Sequence, residues 1–462
     1  MTIMPETQGI DNTIQKCFSR FIQRFGINGI LRNVNATKEK GIPTYAIFAF
    51  ILGLVFTGKN LYVLLTATFE KMSYGKDVVY RFLNRPFIHW EAFVRKLSSA
   101  VVSEVKALTS PSRKTALILD DTPYYRNRSK KVEMLSRCYD HSENRYYKGF
   151  HMLTLGWSDG VTFMPVDFHM LASGSDDHLL EGSHIKDDGR TLATKRRIAA
   201  RTAKPTLALE MLAAVKDTPA QTKYVLFDSW FASPSFIISV KRLGFDVVAR
   251  IKNHENYRYL YDGKNQSLSQ IYKANKKRRG MSRYLLAVSV HVRHDDFPEM
   301  IPATIVYVRD KSNRKKWLAF ISTDTTLSAD ETIALYGKRW DIEPFHKVIK
   351  SHLRLTKEFQ LRSFDAITAH TAIVLTRYIF LSLENRECAD ERSIGMIFLA
   401  VCRELDDISF QYAFHLICST FSHCLSDYFL LSKAQVSFLV NQFISRLPCF
   451  IKHKLRLVVC ES

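Results

Sequence analysis

The chain has 462 residues, 46% of them hydrophobic and 24% charged, and its 66 Lys and Arg against 45 Asp and Glu leave a formal net charge of +21. This composition excludes a disordered chain and leaves room for two to four packed domains at roughly 150 residues each. The positive surplus calls for a polyanionic partner, nucleic acid first, with an anionic membrane surface or an unspecific basic surface as alternatives.

The opening MTIMPETQGI has no basic stretch leading into an apolar core, so no signal peptide is read there. The longest apolar run, residues 45–58, is shorter than the roughly 20 residues of a membrane span and reads as a buried helix. Residues 1–110 read as helical. Within them, 77–90 places Val78, Val79, Phe82 and Leu83 at helical spacing before a break at Pro86. Short helices with basic residues between them fit a DNA-binding head, and equally a plain helical domain.

The texture changes at residue 115. TALILDDT (115–122) is an apolar strand ending in acids, and 149–171 reads as two strands joined by a turn at Ser158-Asp159-Gly160. A helix over 203–216, a strand over 223–231 ending in VLFDSWF, a helix over 234–244 and a strand over 245–253 follow. The order describes an α/β layer with a mixed sheet. Residues 254–326 then read as β-rich with basic loops, YGKRWDIEPFHKVIK (336–350) as a surface helix, and the remainder as apolar helices such as 368–384 and 437–447.

The eight cysteines include no C-x-x-C pair and six follow residue 387 in apolar segments, so neither a zinc site nor a disulfide framework is expected. The compartment this indicates is reducing and cytoplasmic. Four basic runs, 126–131, 195–201, 276–280 and 314–316, each read singly as a solvated loop and together as one extended basic surface.

In 336–350, a turn of about 100° per residue puts Tyr336, Arg339, Glu343 and Lys350 on one stripe. Taken alone, the stripe reads as a solvated face in which Arg339 and Glu343 are i,i+4 ion partners. Pro344 predicts either a bend or a fresh helical turn. Two strands end in Asp, where α/β sheets build sites, although such acids also serve as helix caps. Joined by Glu343 they make three carboxylates, which repel unless a cation lies between them, and oxygen ligands favour Mg²⁺ or Mn²⁺. Two such ions about 4 Å apart suit phosphodiester chemistry.

Tyr336, Arg339, Glu343 and Lys350 match the Tyr-x2-Arg-x3-Glu-x6-Lys signature of the IS-four family, and DDTPYYR and VLFDSWF resemble its two aspartate blocks. The chain thus resembles a DDE transposase of bacterial insertion sequences, most closely over 115–355. The resemblance implies an α/β, RNase H-like mixed sheet with a β-rich insertion before the glutamate helix. It implies Asp121, Asp228 and Glu343 as catalytic metal ligands for Mg²⁺ or Mn²⁺, two ions in all. Alternation along a strand lets only one of Asp120 and Asp121 face the site. The family's acid before Thr selects Asp121, leaving Asp120 solvent-facing or supporting.

The same resemblance gives Tyr336, Arg339 and Lys350 contacts to DNA phosphates. It makes Trp317 a stacking platform for a flipped base, with core packing as the plain alternative and Trp230 as a weaker rival. The expected layout is a helical DNA-binding region over 1–110, a catalytic core over 111–253 and 327–365, a β-rich insertion over 254–326, and a helical C-terminal region over 366–462 suited to dimerisation. The expected protein cuts double-stranded DNA at the ends of its own element and joins them to target DNA. It acts as a homodimer, without a membrane, in the bacterial cytoplasm at the nucleoid. An RNase H-like nuclease or resolvase, or an inactive DNA-binding regulator, is the alternative.

Overall fold

The computed structural model describes residues 18–455 except 39, 60, 68–74, 141–142, 187, 255, 279–281, 311–312, 314, 388–392 and 430. The leaderless reading of 1–10, and Arg279, Gly280 and Arg314 of the basic runs, fall outside these residues. The chain divides into two units: Met1–Arg24 with Tyr45–Val79 and Arg392–Ser462, and Phe25–Thr44 with Tyr80–Glu391.

The described part of the first unit is helical. The apolar run at 45–58 is a helix, Thr44–Leu54, continued by a 3-10 turn, Val55–Thr57. Phe48, Phe50, Ile51, Leu52 and Phe56 are buried, as expected of a core helix. Phe56 lies 5.2 Å from Phe18 and 5.3 Å from Phe398, ring to ring. The long Ile394–Phe429 helix packs along Lys433–Ser445, with Phe414 and Phe443 stacked.

The second unit is built on a mixed sheet. Its strands are β1 (Ala116–Tyr125), β2 (Ser136–Asp140), β3 (Arg145–Ser158), β4 (Phe163–Leu171), β5 (Tyr224–Phe227), β6 (Asp246–Ile251), β7 (Tyr259–Tyr261), β8 (Lys264–Gln266), β9 (Leu286–Val292), β10 (Ile301–Arg309) and β11 (Trp317–Ser322). The order is β2-β3-β1-β5-β6-β11-β10-β9-β7-β8, with β4 also on β3. β1, β5 and β6 are parallel, and β3, β4 and β11 run antiparallel to their neighbours. Three antiparallel strands followed by two more parallel to the first is the RNase H-like arrangement. The near-continuous apolar runs of β1, β5 and β6 are what parallel strands covered on both faces require.

The β-rich segment does not form a separate layer. β11 pairs directly with β6, Ala319 opposite Ile251, so β7–β11 extend the catalytic sheet.

Helix Trp90–Ala107 buries Phe93, Val94, Leu97, Val101, Val102 and Val105 at helical spacing; each such side chain contributes about 1.5–3 kcal/mol. Ser98 on it donates to the Pro165 carbonyl of β4. Helix Phe364–Glu387 is long and apolar enough to cross a membrane, but its whole apolar window is buried in the fold. Its one fully buried arginine, Arg377, is neutralised by Glu358 at 2.7 and 3.0 Å.

The basic run 195–201 is not a solvated loop. It lies in helix Leu192–Arg201, and Arg196 and Arg197 point inward. Arg197 binds Glu133 at 2.7 and 2.8 Å and Asp365 at 2.8 Å, while Arg196 binds Glu91 and Asp365. Those acids come from distant parts of the chain, so the run's local composition gave no sign of them.

Candidate active site

The site forms midway along β1, beside the end of β5. Leu119 pairs with Phe227 in parallel register, so Asp120 and Asp228 are the residues that follow one paired position on neighbouring segments. Opposite them, 336–350 is not one helix. Helix Ala329–Gly337 starts at a capping box of Ser328 and Glu331, a 3-10 turn covers Lys338–Asp341, and a second helix runs Ile342–Ser351. Pro344 falls in that second helix's first turn, where a missing N–H costs nothing. The expected fresh turn is what the proline marks.

This break divides the expected stripe. Tyr336 lies in the last turn of the first helix, buried with its ring 4.6 Å from Phe320. Arg339 sits in the 3-10 turn, 7% exposed. One of its guanidinium nitrogens lies 3.5 Å from Asp120 Oδ2 and 3.5 Å from Glu343 Oε1. The i,i+4 pair read from the sequence is therefore present, but at the site rather than on a solvated face. The Glu343 side chain keeps 47% of its surface exposed. Lys350 is half-buried and donates from Nζ to the Thr122 hydroxyl.

Strand alternation puts the two aspartates on opposite faces, and Asp120 rather than the expected Asp121 is the one that meets Arg339. Asp120, Thr122 and Tyr124 share a face and meet Arg339, Lys350 and the Leu355 carbonyl in turn. Burial pushes the Asp120 carboxyl up to about 7; Arg339 opposes this, while Asp121, Asp228 and Glu343 reinforce it. Asp121 points to the other face. There Lys204 Nζ and His151 Nδ1 lie 2.8 and 2.9 Å from its Oδ2. Burial would raise its pKa, but the adjacent His151 ring and the Lys204 ammonium outweigh that and hold it down at about 2. The structure thus brings together Asp120, Asp228 and Glu343, and leaves Asp121 in a separate ion cluster.

Two further residues were not expected. His346, one turn beyond Glu343, is buried and pushed down to about 3 by that burial and by Lys350 and Arg339. Its Nε2 has no hydrogen-bond partner. Lys204 bridges Asp121 and the Trp230 ring, whose centroid is 4.9 Å from Nζ. The histidine's spacing from Glu343 could have flagged it; Lys204 carried no signal. Trp317 lies at the same end of the sheet, two strands beyond β5. It is stacked on Tyr272 at 5.2 Å and edge-on to Tyr307 at 5.0 Å. Trp230, beside Asp228, is 43% exposed, and Trp340, beside Arg339, 61%.

Residues 49–305, more than half of the chain, match the family described as DDE superfamily endonuclease. The chain belongs to that family. The match contains Asp120, Asp121 and Asp228 and ends before Glu343. No curated protein matches the chain. Family membership makes DNA the substrate class and divalent metal the usual cofactor of this endonuclease. Among the described residues, no three His, Cys, Asp or Glu side chains stand ready to hold a metal as they are. The donor set nevertheless fits a hard dication. The Arg339 guanidinium stands between Asp120 and Glu343, and Asp228 is near enough to add to the upward push that burial gives the Asp120 carboxyl.

Proposed function

We propose that the protein is a DNA transposase that cleaves at the terminal inverted repeats of its insertion sequence and joins the 3′ ends to target DNA. One observation carries this: the Arg339 guanidinium lies 3.5 Å from both the half-buried Asp120 and Glu343, with Asp228 following the β5 residue paired beside Asp120. Asp120, Asp228 and Glu343 would hold Mg²⁺ or Mn²⁺. A bound ion, or a pair of them, stabilises charge on the phosphate and acidifies water.

The chain's own groups do the rest. Arg339, released from the carboxylates, takes a non-bridging phosphate oxygen through paired N–H donors. Lys350, released from Thr122, takes a second. Tyr336 braces Arg339 from the buried side. Water attacks phosphorus, forming one P–O bond and breaking the bond to the 3′ oxygen, which leaves as a hydroxyl on taking up the proton that the water gives up. That hydroxyl then attacks the opposite strand or the target in a second in-line exchange. Two ends must be held together, so a homodimer at the bacterial nucleoid is proposed. The N-terminal helical region would engage DNA and the C-terminal helices the second subunit.

The test compares Asp120→Asn, Asp121→Asn, Asp228→Asn and Glu343→Gln in Mn²⁺-dependent plasmid nicking, with DNA binding measured beside it. Loss of nicking in the first, third and fourth, with binding kept and Asp121→Asn still active, is the expected pattern. Near-normal nicking by Asp120→Asn with an inactive Asp121→Asn would return the ligand role to Asp121. Pre-cleaved ends that are never joined to target would leave a nuclease or resolvase.

A further inference from the structure

The hairpin of β2 and β3 carries a face that the site does not use. Arg137 pairs with Lys148 and Tyr139 with Tyr146. Directly opposed residues of an antiparallel pair share a face, and so do residues two apart. All four therefore project from one side. Ser136, Cys138, Asp140, Tyr147 and Gly149 fill the other side and are buried. Arg137, Tyr146 and Lys148 are exposed, Tyr146 by 56%. The Arg137 guanidinium lies 4.3 Å from the Tyr146 ring centroid, and the Tyr139 and Tyr146 rings are 5.0 Å apart.

The charges on this face are unbalanced. Like charges directly opposed across a ladder destabilise it, and Arg137 faces Lys148. The hairpin's described carboxylates are engaged elsewhere: Asp140 accepts from the Tyr125 hydroxyl, and Glu143 pairs with Arg145. Along the outer edge, where Leu179 bridges to Ser136, Asp176 is taken by Arg201 and Glu181 by His184. The basic run at 126–131 adjoins the same face. Asn127 accepts from the Lys148 N–H, the Arg126 N–H bonds the Lys148 carbonyl, and Arg128, Lys130 and Lys131 are exposed.

Register fixes where this face lies. Asp120 pairs with Thr154 on β3, and the ladder is regular to Tyr125 opposite Gly149. Thr154, Met152, Phe150, Lys148 and Tyr146 alternate onto one side, so the exposed face continues the Asp120 face. Lys148 and Tyr146 are six and eight residues beyond Thr154, about 20 and 26 Å along the strand. Duplex DNA rises about 3.4 Å per base pair, so this spans about six to eight base pairs.

We propose that this face of the β2–β3 hairpin is a second DNA-binding surface, which holds the duplex about six to eight base pairs beyond the scissile phosphate. Arg137 and Lys148 would each neutralise a phosphate, with the tyrosines packed against sugar or base. The proposal rests on the active-site reading above, since it places the cut at Asp120.

The test measures binding to a 30-base-pair duplex of arbitrary sequence across a salt series, without divalent metal, for the parent, Arg137→Gln/Lys148→Gln, and Arg137→Lys/Lys148→Arg. The double glutamine variant should lower the slope of log affinity against log salt by about two. The charge-keeping variant should retain the slope. Because opposed charges are removed, the glutamine variant should melt no lower than the parent. An unchanged slope overturns the proposal, whether or not the protein nicks DNA. A clear drop in melting temperature overturns it too, since the pair would then be satisfied within the chain. A lowered slope supports it even in a protein that never nicks, an outcome that would fail only the catalytic reading.

Discussion

At the residue scale, Asp120 makes a prediction about stability. Its folded pKa, about 7, lies above that of an exposed aspartate near 3.9. The metal-free folded state therefore keeps a proton that the unfolded chain releases, so stability falls as pH rises from about 4 to about 7. Asp120→Asn should abolish that slope and raise the melting temperature at pH 8 but not at pH 4. Mg²⁺ should raise the parent's melting temperature at pH 8 and the variant's much less. Equal responses in the two proteins would place the ion elsewhere. Arg339 makes the complementary prediction. Arg339→Ala leaves Asp120 without its nearest cation and should cost about 2 kcal/mol in metal-free protein, a loss that Mg²⁺ partly restores. Urea melts with and without the ion would measure both.

At the element scale, Pro344 and Arg197 separate what a sequence carries from what it hides. The strand carrying Asp120-Asp121, the short strand that runs into Asp228, the hairpin of β3 and β4, and the strands of the insertion were legible because apolar runs and turn residues are local signals, although β1 does not end at its acids but runs on to Tyr125. The 3-10 turn at Lys338–Asp341 was not. A helical wheel assumes one unbroken helix, so it placed Tyr336 and Glu343 on a common stripe that the turn divides. Choosing between Asp120 and Asp121 needed the register of β1 against its covering helix, which no single strand contains. The inward turn of Arg196 and Arg197 depended on acids from three distant segments. Removing one partner of such a buried network costs about 3–5 kcal/mol, so Arg197→Ala should lower the denaturant midpoint sharply; a loss under 1 kcal/mol would return the run to the surface. Pro344→Ala should change stability by well under the roughly 3 kcal/mol that a proline costs inside a helix, since it occupies a first turn.

At the scale of the whole molecule, the sheet joins the insertion to the catalytic strands, and Trp317 stands where they meet. Its stacking on Tyr272 makes it part of the packing between helix Leu268–Ala274 and the sheet. Trp317→Ala should therefore cost some stability, about 1–3 kcal/mol for a half-buried ring, while leaving first-strand nicking intact. If Trp317 also serves as a base platform, second-strand cleavage should fall with it. Normal second-strand yield beside a lowered melting temperature would make it packing alone.

The pairing of Ile251 with Ala319 has a consequence for how such a protein can change over generations. The chain leaves β6 after Ile251 and returns on its antiparallel neighbour β11, having added β7–β10 to the far side of the sheet on the way. Cutting that stretch out would need only a hairpin to rejoin the chain, at the cost of baring the β11 edge that β10 covers, and lengthening its loops adds little loop entropy. The stretch is in this sense a cassette. It can be exchanged, grown or pared down while the carboxylates on β1, on β5 and on the glutamate helix keep their places, so new DNA preferences can be acquired without rebuilding the chemistry.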